Sequence, residues 1–292
     1  MLRIGTNFAP PAEYPPLVQQ HIRTGHQPLA AWQAAGLDYI ELALKSAHLD
    51  DASLSTHIEQ LQHAGLGVHL HPYYEIRGFG TPSEARYLRQ NLTQMLDIAH
   101  RAAQTQGYPV VINFHAASGA GTIPRETLHA QSVAFFDWLA EQATGLDVAV
   151  TVEHQLPPRP TDTWQRYGDH YTELLALHAA INQDNVRLCW DMGHSAMRSA
   201  RYGDDLLPPP DFAAAVRHVH IHDVQHEIPA DHRPIGDGET PLGNYLLSLA
   251  ECGYAGDFTM EYDANEFFGA DYTAFLTRSK AALMEILPPN WV

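Results

Sequence analysis

Thr144–Gly145 followed by Val148–Ala149–Val150–Thr151–Val152–Glu153 is a unit that the chain repeats with variations. A helical stretch stops at a glycine, which takes up the left-handed conformation that other residues resist. Within a few residues a short apolar run begins, here closing on Glu153. The same order recurs at Gly36 before Tyr39–Leu42, Gly65 before Val68–His71, Gly107 before Val110–His115 and Gly253 before Phe258–Glu261. Arg3–Asn7, Val186–Asp191 and His218–His222 complete a set of eight predicted strands.

Helical periodicity fills the intervals. Leu88, Leu92, Met95, Leu96 and Ala99 keep the spacing of an amphipathic helix, and Phe135, Phe136, Trp138 and Leu139 give the next one a broad apolar face. Strand alternating with helix eight times, with right-handed crossovers, predicts an α/β fold: one (β/α)8 TIM barrel over residues 1–292. An open doubly wound sheet fits less well. Asn7–Phe8–Ala9–Pro10–Pro11 stands after the first strand, where that fold carries a glycine-rich phosphate loop. Three long connections, Gln155–Gly168, Ser195–Asp211 and Gln225–Leu242, are expected to wall a pocket at the carboxyl ends of the strands. No linker or low-complexity tract divides the chain.

With 292 residues, 45% of them hydrophobic, the chain has enough apolar surface for a core without covalent staples. Cys189 and Cys252 are too few for a disulfide framework and read as small buried residues in a reducing compartment. No signal-peptide pattern or membrane-spanning apolar run is present, so a soluble cytoplasmic protein is expected. The formal charge is −17, from 17 basic and 34 acidic residues, and no basic run appears. That balance weighs against a nucleic-acid partner. Lysine occurs only at Lys45 and Lys280, so Schiff-base chemistry would rest on Lys45 alone. Homo-oligomeric assembly is left open.

In His218–Val219–His220–Ile221–His222–Asp223, strand alternation puts three imidazoles on one face. Burying them is costly unless something binds them, and neutral imidazole is a common ligand of divalent metals. Glu153, Asp191, His220 and Glu261 fall at the ends of strands five to eight, where four such groups can converge on one ion; Mn, Mg, Co or Zn would be chemically reasonable. In Asp191–Met192–Gly193–His194 a second imidazole leaves the strand beside its carboxylate, to bind metal or substrate. His71 and His115 end strands three and four and, with Glu153, would make a second site. His232 and Arg233 lie in the loop after strand seven, where Arg233 would clamp an anion or hydroxyl. Glu41 carries no assignment beyond that of a polar partner for a neighbouring strand.

These motifs resemble the xylose isomerase-like TIM barrel superfamily, which joins sugar isomerases and epimerases with apurinic endonucleases of the endonuclease IV type. The resemblance spans nearly the whole chain. It is most specific at Val152–Glu153, Trp190–His194, His220–Asp223, His232 with Gly236–Asp237–Gly238, and Met260–Glu261. For the epimerases it implies one metal held by Glu153, Asp191, His220 and Glu261, with the two glutamates moving the proton. For the endonuclease-like members it implies three zinc ions. His71, His115 and Glu153 would match the first site, and Glu153, Asp191, His220 and Glu261 the second. His194 and His232 would match ligands of the third. That third site also uses an aspartate two residues before His232. Ala230 stands there, with Asp231 offset by one, which favours one or two ions over three.

Two mechanisms follow. In the first, a metal-dependent isomerase or epimerase acts on a small sugar, sugar phosphate or hydroxy-ketone. Glu153 and Glu261 exchange a proton through an enediolate, and His194, His232 and Arg233 hold the substrate. In the second, a di- or trinuclear zinc phosphoesterase makes His71 and His115 essential. The acidic surface, the missing carboxylate at Ala230 and the single complete four-ligand set favour the first, with one ion and room for a second.

Overall fold

Gly36, Gly65, Gly107, Gly145 and Gly253 all have positive φ, between +63° and +81°. Each therefore ends its helix in the conformation expected of it, and the chain turns into the next strand. The computed structural model describes residues 2–44, 51–73, 82–204, 207–225, 230–269 and 271–291. Lys45 lies outside them, as do parts of the connections after the sixth and seventh strands.

Eight strands form the barrel: β1 (Ile4–Phe8), β2 (Tyr39–Leu44), β3 (Gly67–Pro72), β4 (Val110–Phe114), β5 (Val148–Glu153), β6 (Val186–Asp191), β7 (Val216–Ile221) and β8 (Asp257–Met260). Every neighbouring pair is parallel, and β1 closes the cylinder by pairing with both β2 and β8. The α/β (β/α)8 expectation holds, with strand bounds shifted by a residue or two.

Alternation divides the strands. Ile40, Leu42, Val68, Leu70, Ile112, Phe114, Val150, Val152, Trp190, Val219, Ile221 and Phe258 point outward into one apolar cluster. Leu92, Met95 and Leu96 of the helix Pro82–Gln106 and Phe135, Phe136 and Leu139 of the helix Arg125–Ala143 cover it from outside. The inward residues meet across the barrel and are largely polar. Tyr39 Oη lies 2.8 Å from Thr259 Oγ1, and His69 Nε2 lies 2.9 Å from Asp257 Oδ2. Barrel interiors are commonly filled by branched apolar side chains. Here buried imidazoles and carboxylates take that place, many of them hydrogen-bonded to one another.

The segment from Ser195, read from sequence as the start of a long connection, is instead mostly helix. The helix Met192–Tyr202 starts directly after β6 because Asp191 caps it: its Oδ1 accepts from the amide of His194 at 2.7 Å. Gly203 ends it at φ +70°. Two small antiparallel ribbons dress the loops, Ser118–Ala120 with Trp164–Arg166 and Asp223–Gln225 with Ala230–Arg233. Cys189 is fully buried and Cys252 half-buried, and both are free thiols. Among the described residues, no helix is long and apolar enough to cross a membrane.

Candidate metal centre and barrel-mouth site

Glu153 and Asp191 are the last residues of β5 and β6, His220 lies one before the end of β7, and Glu261 follows β8 directly. Adjacent parallel strands in register bring these positions to one level of the barrel; Asp191 pairs with His220. The four side chains converge. His220 Nδ1 lies 2.9 Å from Glu261 Oε2, 3.6 Å from Glu153 Oε2 and 3.9 Å from Asp191 Oδ2. All four residues are buried.

Three of the converging atoms, Asp191 Oδ2, His220 Nδ1 and Glu261 Oε2, have no hydrogen-bond partner in suitable geometry. Buried polar atoms without partners are rare and costly. Carboxylate oxygens grouped around one imidazole nitrogen call for a positive charge at their centre, so the donor set fits a divalent cation.

The electrostatics agree. Burial opposes ionisation of Glu153, Asp191 and Glu261, yet the facing imidazoles hold all three carboxyls below the usual carboxylate range. His115 and His71 dominate at Glu153, His194 and His222 at Asp191, and His220 and His232 at Glu261. Burial disfavours a charged His220, but Cys189, Glu41 and Glu261 push its pKa well above the ordinary value.

The other predicted residues gather nearby. His115 Nε2 and His194 Nδ1 approach Glu153 Oε1 at 3.4 and 3.7 Å. His194 Nδ1 lies 2.8 Å from the carbonyl of His154 and donates to it, which leaves Nε2 as the acceptor of the neutral ring. His232 adopts φ +55° and brings Nε2 to 3.8 Å from Glu261 Oε2. Burial lowers the pKa of His232, but Asp231 and then Glu261 outweigh it and push the pKa up to about 9. A cavity of about 240 Å³ opens beside the cluster, with Phe8, Tyr73, His232, Glu261 and Tyr262 in its wall. Arg233 is not brought to that wall: its guanidinium pairs with Glu266 and lies 5.4 Å from the Phe267 ring centre.

The family model described as xylose isomerase-like TIM barrel matches residues 29–282. The chain belongs to that family. No curated protein matches the sequence. Solved structures share the fold at low identity. D-allulose 3-epimerase from Methylomonas sp., in complex with D-allulose, superposes with a TM-score of 0.69 at 17% identity over 97% of this chain and 96% of that chain. D-psicose 3-epimerase from Clostridium cellulolyticum H10, with D-tagatose, gives 0.66 at 15% over 98% of each chain. A xylose isomerase domain protein from Alicyclobacillus acidocaldarius gives 0.67 at 17% over 98% of each.

Within this xylose isomerase-like barrel, Glu41, His222 and Asn113, none of them among the expected site residues, orient the cluster. Glu41 of β2, fully buried, has Oε1 2.9 Å from His220 Nε2 and Oε2 2.8 Å from His218 Nε2. That contact fixes His220 with Nδ1 toward the carboxylates. His222 bridges Asp191 Oδ1 (3.1 Å) and the amide of His232 (2.9 Å), so both ring nitrogens are engaged. Asn113 Nδ2 lies 2.6 Å from Glu153 Oε2 and 2.8 Å from His71 Nδ1. An amide nitrogen only donates, so His71 Nδ1 accepts and its Nε2 carries the hydrogen. The strand alternation that put Glu41 and Asn113 on inward faces was the available signal.

Proposed function

We propose that the protein is a divalent-metal-dependent epimerase or isomerase of a small sugar or related hydroxy-ketone. The observation that carries this reading is the set of unpartnered buried atoms, Asp191 Oδ2, His220 Nδ1 and Glu261 Oε2, facing one another with Glu153 at a cavity of sugar-sized volume. The fold shared with sugar 3-epimerases makes inversion beside a ketose carbonyl the first reaction to test.

Glu153, Asp191, His220 and Glu261 would hold the ion, which would supply Lewis acidity toward the substrate's carbonyl and adjacent hydroxyl oxygens. Glu153 and Glu261 reach the centre from β5 and β8, with β6 and β7 between them. Surrounding imidazoles favour the ionised form of each, so either can serve as the base. One carboxylate takes the proton from the carbon beside the carbonyl, and the C–H electron pair moves into the enediolate. The other, which enters the step protonated from solvent, gives its proton to the opposite face, and exchange with solvent resets the pair. Configuration inverts with no change of oxidation state. His194, through Nε2, and His232, in the cavity wall, would hold substrate oxygens.

The phosphoesterase reading needs His71 as a ligand. With Asn113 donating to Nδ1, Nε2 of a neutral His71 carries the hydrogen, so a second ion at His71, His115 and Glu153 would have to displace it. That favours one ion, and the net charge of −17 disfavours a polyanionic nucleic acid. The test is incubation of manganese-loaded protein with D-allulose and D-tagatose in D2O, with metal content measured per chain. Epimerised product carrying deuterium at the inverted carbon, persisting in His115→Ala, is expected. Phosphodiester cleavage lost in His115→Ala, with no deuterium entering any ketose, would overturn it.

A further inference from the structure

We infer that Tyr73 is the positioning residue that divides the two oxygens of Glu261, reserving Oε2 for the ion and Oε1 for the proton; the inference rests on the epimerase reading. Tyr73 follows β3 at the barrel mouth, and its amide is tied to the carbonyl of Leu44 at 2.9 Å. Its ring stands edge-on to His71 and His115, with centroids 4.2 and 5.1 Å away. Held in this way, its hydroxyl donates to Glu261 Oε1 at 3.2 Å. The other oxygen, Oε2, is the unpartnered atom beside His220.

The terminal torsion of a glutamate is broad and nearly two-fold, so a carboxylate with no second partner turns easily. Turned to present both oxygens to a cation, Glu261 would have no lone pair directed at the substrate. The Tyr73 hydroxyl opposes that turn from the wall of the same cavity that Glu261 lines. It leaves Oε1 aimed away from the centre, where it accepts the proton as the C–H pair enters the enediolate. Glu153 completes the exchange on the other face, and no oxidant or reductant takes part.

The test is Tyr73→Phe, which keeps the ring against His71 and His115 and removes only the hydroxyl. With manganese-loaded enzyme, kcat is expected to fall about tenfold while KM stays within about twofold, the scale of one hydrogen bond to a charged group. The deciding readout is the pair of primary deuterium isotope effects, one for each epimer labelled at the reacting carbon. Slowing only the Glu261 transfer raises the effect for the epimer whose proton Glu261 removes and lowers it for the other. Isotope effects that move together or stay unchanged overturn the inference. A crystal structure of the manganese-loaded variant supplies a readout independent of turnover. Both Glu261 oxygens facing His220 Nδ1 are expected, and a carboxylate that keeps its single-oxygen orientation overturns the inference. If the unsubstituted protein turns over no ketose, the epimerase reading falls, and the crystallographic result alone decides the role of Tyr73.

Discussion

Glu41 Oε1 lies 2.9 Å from His220 Nε2, and the other oxygen of the same carboxylate takes up His218 at 2.8 Å. One buried acid thereby sets the orientation of the imidazole at the centre of the candidate site. Carboxylates behind a ligating histidine fix its tautomer and raise its basicity. Glu41→Gln keeps the shape and loses the charge. Manganese affinity is expected to fall about 10–100-fold with little change in circular dichroism. An unchanged affinity in a metal titration would remove Glu41 from this role.

Asp191 divides its work between its two oxygens. Oδ1 caps the helix Met192–Tyr202 and accepts from His222, while Oδ2 is unpartnered. Asp191→Asn retains a capping oxygen but not the charge. Manganese at about 100 times its dissociation constant should stabilise the parent by about 2.7 kcal/mol. The variant should show no such gain in a thermal melt, and activity should disappear. Chelation of the parent should reproduce both effects.

Gly193 is required by space. A Cβ built on it would lie 1.9 Å from His222 Cε1 and 2.3 Å from its Nδ1. Gly193→Ala therefore displaces the ring that joins Asp191 to the loop bearing His232. A loss of about 1–3 kcal/mol in urea denaturation is expected from the overpacking, with weakened metal binding besides. A variant as stable as the parent would show that His222 is free to move.

At the opposite end of the barrel, Asp257 accepts from His69 at 2.9 Å and from Arg3 at 3.0 Å. Burial raises the pKa of its carboxyl, but His69 and then Arg3 outweigh this and bring it from 3.8 to about 2. A depressed carboxyl pKa stabilises the fold above the unfolded value and loses that contribution as the pH falls through the folded one. The linked stability is about 2 kcal/mol, present above about pH 4 and gone below about pH 2. The stability gap between the parent and Asp257→Asn should therefore narrow with acidification across that window. A gap constant with pH would mean that the ion pairs do not stabilise the fold.

The strands and the glycines that precede them were legible because their signals are local: period-two alternation, and a left-handed turn that only glycine adopts cheaply. The convergence of Glu153, Asp191, His220 and Glu261 was legible as well, since closing the barrel leaves strand ends one place to meet. The role of Glu41 was not, because alternation turns it inward but its partners lie 177 and 179 residues away. Asn113 was hidden in an apolar run for the same reason. The helix after β6 was missed because Asp191 reads as a ligand position and is also a cap. Arg233 looked free in a loop, and its pairing with Glu266 depends on a segment 33 residues further on.

Hydrogen bonds run through the hollow of the cylinder from Arg3 and Asp257 to His69, and from Tyr39 and Thr259 through Glu41 to His220. Two hydrogen-bonded networks, packed ring against ring at Tyr39 and His69, thus fill the shaft beneath the candidate metal centre, and the second reaches it at His220. Grafting new loops onto the rim will not give this barrel an unrelated chemistry, because the inherited imidazoles and acids beneath would demand redesign as well. Relatives that have changed trade should carry the trace of it far below the mouth, in substitutions at positions that no substrate touches.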